Sequence, residues 1–220
     1  MDNKHWNIYE TTKDIYENVI QKGETFSIDI GKEIQKELEK MKKQILQTTL
    51  TVKEIEEMII NNPLYFNIRT DIAIPNLSWS LLDYEADLII MNKSGYVTEF
   101  EIKRSFEDLK HDFNKNIFHN SELINKFYYV LPKSIEEQTL KLFDEHLEDE
   151  KYVKIFGKST SVMKNYPAVI WYDDEGKMTT NNGYPYLYGK HRKLFLEERV
   201  TLLRLLNMRY WNLRRKEIEK

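Results

Sequence analysis

The spacing of hydrophobic residues changes period along this chain. Over residues 30–47, Ile34, Leu38, Met41 and Ile45 recur at three- and four-residue intervals, which predicts one face of a helix. Thr51-Val-Lys-Glu54 opens a second helix with a capping box, and Asn61-Asn62-Pro63 closes it. The pattern then turns strand-like. Tyr65–Ile74, Tyr84–Ile90 and Tyr96–Lys103 are rich in β-branched and aromatic residues and are separated by turn-formers. Asn92-Lys-Ser-Gly95 is a tight connection, so the second and third strands should form a hairpin. Ser105-Phe-Glu-Asp108 reads as a helix start, with Ser105 as N-cap and Asp108 reaching back, and that helix should run to Lys115 or Ile117.

Lys126–Leu131 is a further strand stopped by Pro132, and Ser134 begins a helix over Ile135–His146. A short β element at Pro167–Tyr172 turns at Asp173–Gly176. From about Lys190 a long amphipathic helix carries Leu196, Val200, Leu203 and Leu206 among its apolar positions. Helix, three strands, helix, strand is the core order. With no repeat or low-complexity linker, the economical reading is one α/β domain over 1–220. Its helical part is 1–62, its core about 63–146, and its C-terminal β element and basic helix 150–220.

Composition narrows the function classes. At 41% hydrophobic and 31% charged, the 220 residues resemble an ordinary globular protein. The apolar runs are strand-sized, and the N-terminus lacks the apolar region of a signal peptide, so no membrane partner and a cytoplasmic location are expected. The chain has no cysteine, which excludes disulfides, Cys-ligated zinc, iron–sulfur clusters and thiol catalysis. Net charge is −3, yet residues 190–220 hold more Lys and Arg than Glu. A basic arm of that kind suits a phosphate-bearing partner and an ordinary solvated helix equally.

The pattern acid-x-Lys occurs at 2–4, 101–103, 108–110, 149–151 and 175–177, and context separates these sites. Only Glu101-Ile-Lys103 lies on a strand beside a second strand bearing an acid. With the hairpin centred near Lys93, facing residues sum to about 186, which puts Asp87 opposite Glu99 and Glu85 opposite Glu101. Alternation then gathers Glu85, Asp87, Glu99, Glu101 and Lys103 on one face, and Ala86, Leu88, Phe100 and Ile102 on the other. Opposed like charges destabilise a sheet, and a divalent cation would relieve that conflict. Mg²⁺ takes hard oxygens, usually one or two carboxylates with water and substrate phosphate. Asp87, Glu101 and the Ile102 carbonyl supply such a set, to which Glu85 and Glu99 are further candidates. Lys103 is placed to orient a water or to stabilise charge on the phosphorane. The alternative is a solvated hairpin face whose acids merely line up.

Glu85-Ala-Asp87, Glu101-Ile-Lys103, Ser105-Phe-Glu-Asp108-Leu109 and Lys126-Phe-Tyr-Tyr-Val-Leu-Pro132, in that order, resemble the PD-(D/E)xK nuclease superfamily. More narrowly they resemble the phage and bacterial branch related to MmcB-like DNA-repair proteins. The resemblance covers roughly residues 80–135. It implies a restriction-endonuclease-like αβββαβ core, Mg²⁺ dependence with Mn²⁺ as a substitute, and a DNA substrate. It also implies that Asp87 and Glu101 are metal ligands and Lys103 the catalytic lysine. Ala86 stands where the superfamily often has proline. The helical acid that sometimes adds a ligand would come from Glu33, Glu37 or Glu39.

Lys126 is a candidate phosphate contact, as are Lys110, His111 and Lys115 on the helix after the third strand, although each also reads as a solvated residue. The five histidines lack metal-ligand spacing, and no Gly-rich phosphate loop is present. Trp171, Tyr172, Tyr184, Tyr186 and Tyr188 could stack bases but more often pack. The expectation is a Mg²⁺-dependent DNA endonuclease or repair nuclease. Its alternatives are a catalytically silent DNA-binding or interaction module and an RNA-directed nuclease, and a homodimer is compatible with each.

Overall fold

The computed structural model describes residues 48–77, 81–114, 121–159, 165–181 and 192–218, together with 35, 36, 38, 183, 185–187 and 189. The chain divides into two compact units, Met1–Gln44 and Ile45–Lys220. Residues 35, 36 and 38 are helical, and the rest of the helix expected over 30–47 lies outside the described residues, as do Glu33, Glu37 and Glu39.

The second unit is built on α1 (Val52–Ile60), β1 (Ile72–Leu77), β2 (Ala86–Met91), β3 (Val97–Ile102), α2 (Phe106–Phe113) and β4 (Lys126–Pro132). After a 3₁₀ turn at Lys133–Ile135 come α3 (Glu136–His146), α4 (Glu150–Phe156), β5 (Ala168–Tyr172), β6 (Met178–Thr180) and α5 (Leu196–Ile218). The strands form one open six-stranded mixed sheet in sequence order, with β3–β4 and β4–β5 parallel and the other pairs antiparallel. The parallel pairs need crossovers, which α2 and then α3 with α4 supply.

Each face of the sheet is covered. On one, Ile55 and Ile59 of α1 are fully buried against Leu88, Ile90, Phe100, Ile102, Val130 and Ile170. Burial of each isoleucine contributes about 1.5–3 kcal/mol. On the other, Leu109, Phe143, Tyr152 and Leu202 from α2, α3, α4 and α5 meet Ile89, Val97, Phe127, Tyr129 and Trp171. Strands buried on both faces read as continuous apolar runs, as β4 and β5 do.

Local chemistry sets the element ends. Thr51 and Glu54 form the expected capping box, and Asn61 closes α1. Ser105 Oγ accepts the Asp108 N–H at 3.2 Å, and Asp108 Oδ2 accepts the Arg104 N–H at 3.4 Å. Gly95 takes the left-handed conformation in the β2–β3 turn, at φ +86°. β1 departs from expectation and begins only at Ile72. Residues 65–71 are turns, because the Asn62 and Asn67 carbonyls accept N–H groups of Tyr65, Phe66, Thr70 and Asp71, and the Asp71 carboxylate accepts the Asn67 N–H. Side chains of this type compete with a ladder for the backbone. Within β1, Pro75 has no N–H to give, and Asn76 sits at φ +49° with its carbonyl taken by the Arg209 guanidinium. The helix α4 and strand β6 arise where the pattern gave no signal. No described helix is long and apolar enough to cross a membrane.

Candidate active site

The hairpin register places the acidic residues. Gly95 N–H bonds the Asn92 carbonyl and Asn92 N–H the Tyr96 carbonyl, so facing residues sum to 188: Ile89 pairs with Glu99 and Leu88 with Phe100. The expected sum of 186 was two too small, because the turn centres on Ser94 rather than Lys93. A shift of two leaves Leu88, Phe100 and Ile102 on their expected face and Glu99 and Glu101 on the other, whereas a shift of one would have inverted them; Ala86, expected beside Leu88, packs instead with Ile89 on the opposite face. It does change the partners. Asp87 stands level with Glu101, and Glu85, expected opposite Glu101, falls beyond the ladder and is exposed.

The ladder opens at Asp87. Its last β2–β3 pair is Leu88 with Phe100, and the next N–H to point toward β2, that of Ile102, is accepted by Asp87 Oδ2 at 2.8 Å. N–H and C=O of one residue point to the same side of an extended strand, so the Ile102 carbonyl also faces β2 at this opening.

Behind Asp87 lies a buried polar cluster. Glu99, Glu101, Lys103 and Asp112 are 0, 2, 5 and 0% exposed, so the solvated hairpin face is overturned. It is closed over by α2, which contributes Asp112. Lys103 Nζ pairs with Glu101 Oε1 and lies 3.4 Å from Asp112 Oδ1. Three tyrosine hydroxyls brace the cluster. Tyr129 donates to Asp112 Oδ2 at 3.0 Å, Tyr84 to Glu99 Oε2 at 2.6 Å, and Tyr172 to the Lys103 carbonyl at 3.1 Å.

These positions shift protonation in opposite senses. Burial pulls the Lys103 ammonium down, but the Glu101, Asp112 and Asp87 carboxylates outweigh it and hold the group above the ordinary lysine value. Burial raises the Asp87 carboxyl, against the downward pull of Lys103 and of the Ile102 N–H. Burial, then Glu99, pushes the Tyr84 hydroxyl up, and burial, then Asp112, does the same at Tyr129, so both remain neutral donors.

The site residues expected from sequence divide accordingly. Asp87, Glu101 and Lys103 come together, and Glu99 joins them through Tyr84 rather than at the Asp87 opening. Glu85, Lys110 and His111 are exposed. Lys126 pairs across to Thr98, roughly 10 Å along the strand from Tyr129 and on the other face, with its ammonium over the Tyr186 ring at 4.7 Å. Lys115, Tyr184 and Tyr188 lie outside the described residues.

Sequence reasoning passed over Asp112, Tyr129, Tyr84 and Glu56. Asp112 follows Leu109 at helical spacing on the inward face of α2, and an acid there is a legible signal of a buried partner. Glu56, on α1, is half-buried. Its carboxyl is raised by burial and then by the Asp87 charge, and its Oε1 meets no hydrogen-bond partner among the described residues.

Among the described residues no three His, Asp or Glu side chains group as a metal cage. The donor set at the opening still has the chemistry of a Mg²⁺ site, with two carboxylates and one carbonyl, all hard oxygens, leaving positions for water and phosphate. Comparison of the chain with family models, curated proteins and solved structures returned no match.

Proposed function

We propose that this protein is a divalent-metal-dependent phosphodiesterase acting on DNA, with Asp87, Glu101 and Lys103 as its working residues, on a restriction-endonuclease-like core. The observation that carries the reading is the opening of the β2–β3 ladder, where an acid replaces a backbone acceptor while Glu101 and Lys103 stand on the adjoining strand. Order and pairing of α1-β1-β2-β3-α2-β4 agree with that core.

Asp87, Glu101 and the Ile102 carbonyl would hold Mg²⁺ or Mn²⁺, with Glu56, whose carboxyl is raised in part by the Asp87 charge, as a further candidate. Bound there, the cation polarises the phosphate and lowers the pKa of a coordinated water. The chain's own part is positional. Asp112 and Tyr129 keep Lys103 charged and beside Glu101, where its ammonium would stabilise charge developing on the phosphate. Removing one such preorganised donor costs about 10²–10³ in rate.

The burial of Glu101 and Lys103 favours a second reading, in which the cluster is a structural ion network within a silent DNA-binding or interaction module. Cleavage of single-stranded, duplex and branched DNA and of RNA, by wild type and Lys103→Ala with Mg²⁺, Mn²⁺ or EDTA, separates the two. Metal-dependent cutting lost in the variant supports the nuclease. Equal DNA binding with no cutting by either protein supports the module, and cutting of RNA alone makes it an RNA nuclease.

A further inference from the structure

The helix α5 carries two stripes, and only one of them is used. Positions 198, 202, 205 and 209 form the stripe that meets the core: Leu202 is buried, Leu205 packs against it, and Glu198 is held by the forked Arg192 guanidinium at 2.8 Å. Of the apolar positions read from sequence, Leu196, Val200 and Leu203 lie on the opposite side, in line with Asn207, Tyr210 and Arg214, while Leu206 falls between the two stripes. Leu196, Leu203, Tyr210 and Trp211 are 72, 46, 53 and 55% exposed. Beyond Arg209 every described residue of the helix is exposed, Leu213 and Ile218 included. A helical segment of that length is marginal by itself, and among the described residues nothing buries it.

The spacing from Leu196 to Arg214 alternates four and three, the period of a two-helix seam, with Val200 and Asn207 at one seam position and Leu196, Leu203 and Tyr210 at the other. The ends of the helix differ in charge. Glu197 is exposed in the first turn, where Glu198 is taken by Arg192, while Arg215 and Lys216 are exposed in the last, where Arg214 pairs with Glu217. One surface complementary to itself with the direction reversed is what a two-fold pair requires. The aliphatic members of the stripe argue against nucleic acid as its occupant, since bases stack on rings and phosphates seek cations.

We propose that α5 is a self-association surface, pairing antiparallel with α5 of a second copy of this chain through Leu196, Val200, Leu203, Asn207, Tyr210 and Trp211. The pairing sets the acidic first turn of each helix beside the basic last turn of the other. It is independent of the phosphodiesterase reading.

Analytical ultracentrifugation of the full chain tests it. The expected mass is twice the 26.6 kDa of one chain, falling to one chain in Leu203→Glu/Trp211→Glu, whose substituted positions are exposed and whose circular dichroism should stay that of wild type. Because the chain has no cysteine, introduced thiols meet only one another. Under mild oxidation Leu196→Cys/Arg214→Cys should cross-link between chains, and neither single variant should. A monomer at high micromolar concentration overturns the proposal, as does a dimer indifferent to the double glutamate variant. Cross-linking by Leu196→Cys alone overturns the antiparallel arrangement. If wild type is monomeric and the glutamate variant loses duplex binding, the stripe serves nucleic acid instead.

Discussion

Asp87 Oδ2 accepts the backbone N–H of Ile102 at 2.8 Å, in the place that the Ala86 carbonyl would hold in an unbroken ladder. A carboxylate is a stronger acceptor than a carbonyl and can be drawn away by a better partner, such as a cation. The two strands therefore remain joined at this point by a contact that can be exchanged.

That exchange is sensitive to pH. An unfolded aspartate ionises near about pH 3.9, and the folded Asp87 carboxyl is raised above its ordinary value, chiefly by burial. Between those two values the folded chain binds its proton more tightly, so this group's contribution to stability falls as pH rises through the window. Asp87→Asn keeps an acceptor for Ile102 without the titration. Urea midpoints across the acid range should fall more steeply with rising pH in wild type than in the variant. Parallel profiles would remove the role assigned to Asp87.

Lys103→Met should cost about 3–5 kcal/mol in chemical denaturation, because Glu101 and Asp112 stay buried without that ammonium. Adding Glu101→Gln should recover part of the loss, giving a coupling energy in a double-mutant cycle. Strict additivity would mean that the two side chains do not meet in solution.

Tyr129→Phe removes one hydroxyl from a fully buried ring and leaves Asp112 Oδ2 without that donor. A loss of about 1–3 kcal/mol is expected, with the fold unchanged by circular dichroism. A neutral result would separate Tyr129 from the cluster.

Gly95→Ala places a Cβ at φ +86°, where it meets the Arg199 guanidinium. The conformation alone costs about 1–2 kcal/mol. The displaced guanidinium also gives up the Ser94 and Leu194 carbonyls, which tie the start of α5 to the hairpin turn. Thermal denaturation should show a loss for Gly95→Ala that shrinks in an Arg199→Ala background.

The hairpin and the central acids were legible in the chain because alternation assigns faces even when the turn centre is misjudged by one residue. Asp87, Glu101 and Lys103 therefore fell together despite the wrong partners. Burial of that face was not legible, since it depends on α2 folding back and on Tyr84 and Tyr129 aiming their hydroxyls at Glu99 and Asp112. Hydrophobic spacing found α5 but did not say which of its stripes meets the core. Leu196, Val200 and Leu203 make the more regular stripe, yet the core takes Leu202 and Leu205, because Arg192, Leu194 and Arg199 fix how the helix enters. The first strand was overdrawn because Tyr65 and Phe66 suit a sheet, while the Asn62 and Asn67 turns decide otherwise.

Both borders of the sheet are poor templates for a further strand. Along β1, Pro75 offers no donor, Asn76 is bent out of line and its carbonyl is capped by Arg209. The other border is the three-residue β6. Interruptions of this kind guard a β-protein against edge-to-edge polymerisation. Copies of this molecule are thus steered away from growing edge to edge into a continuous ribbon.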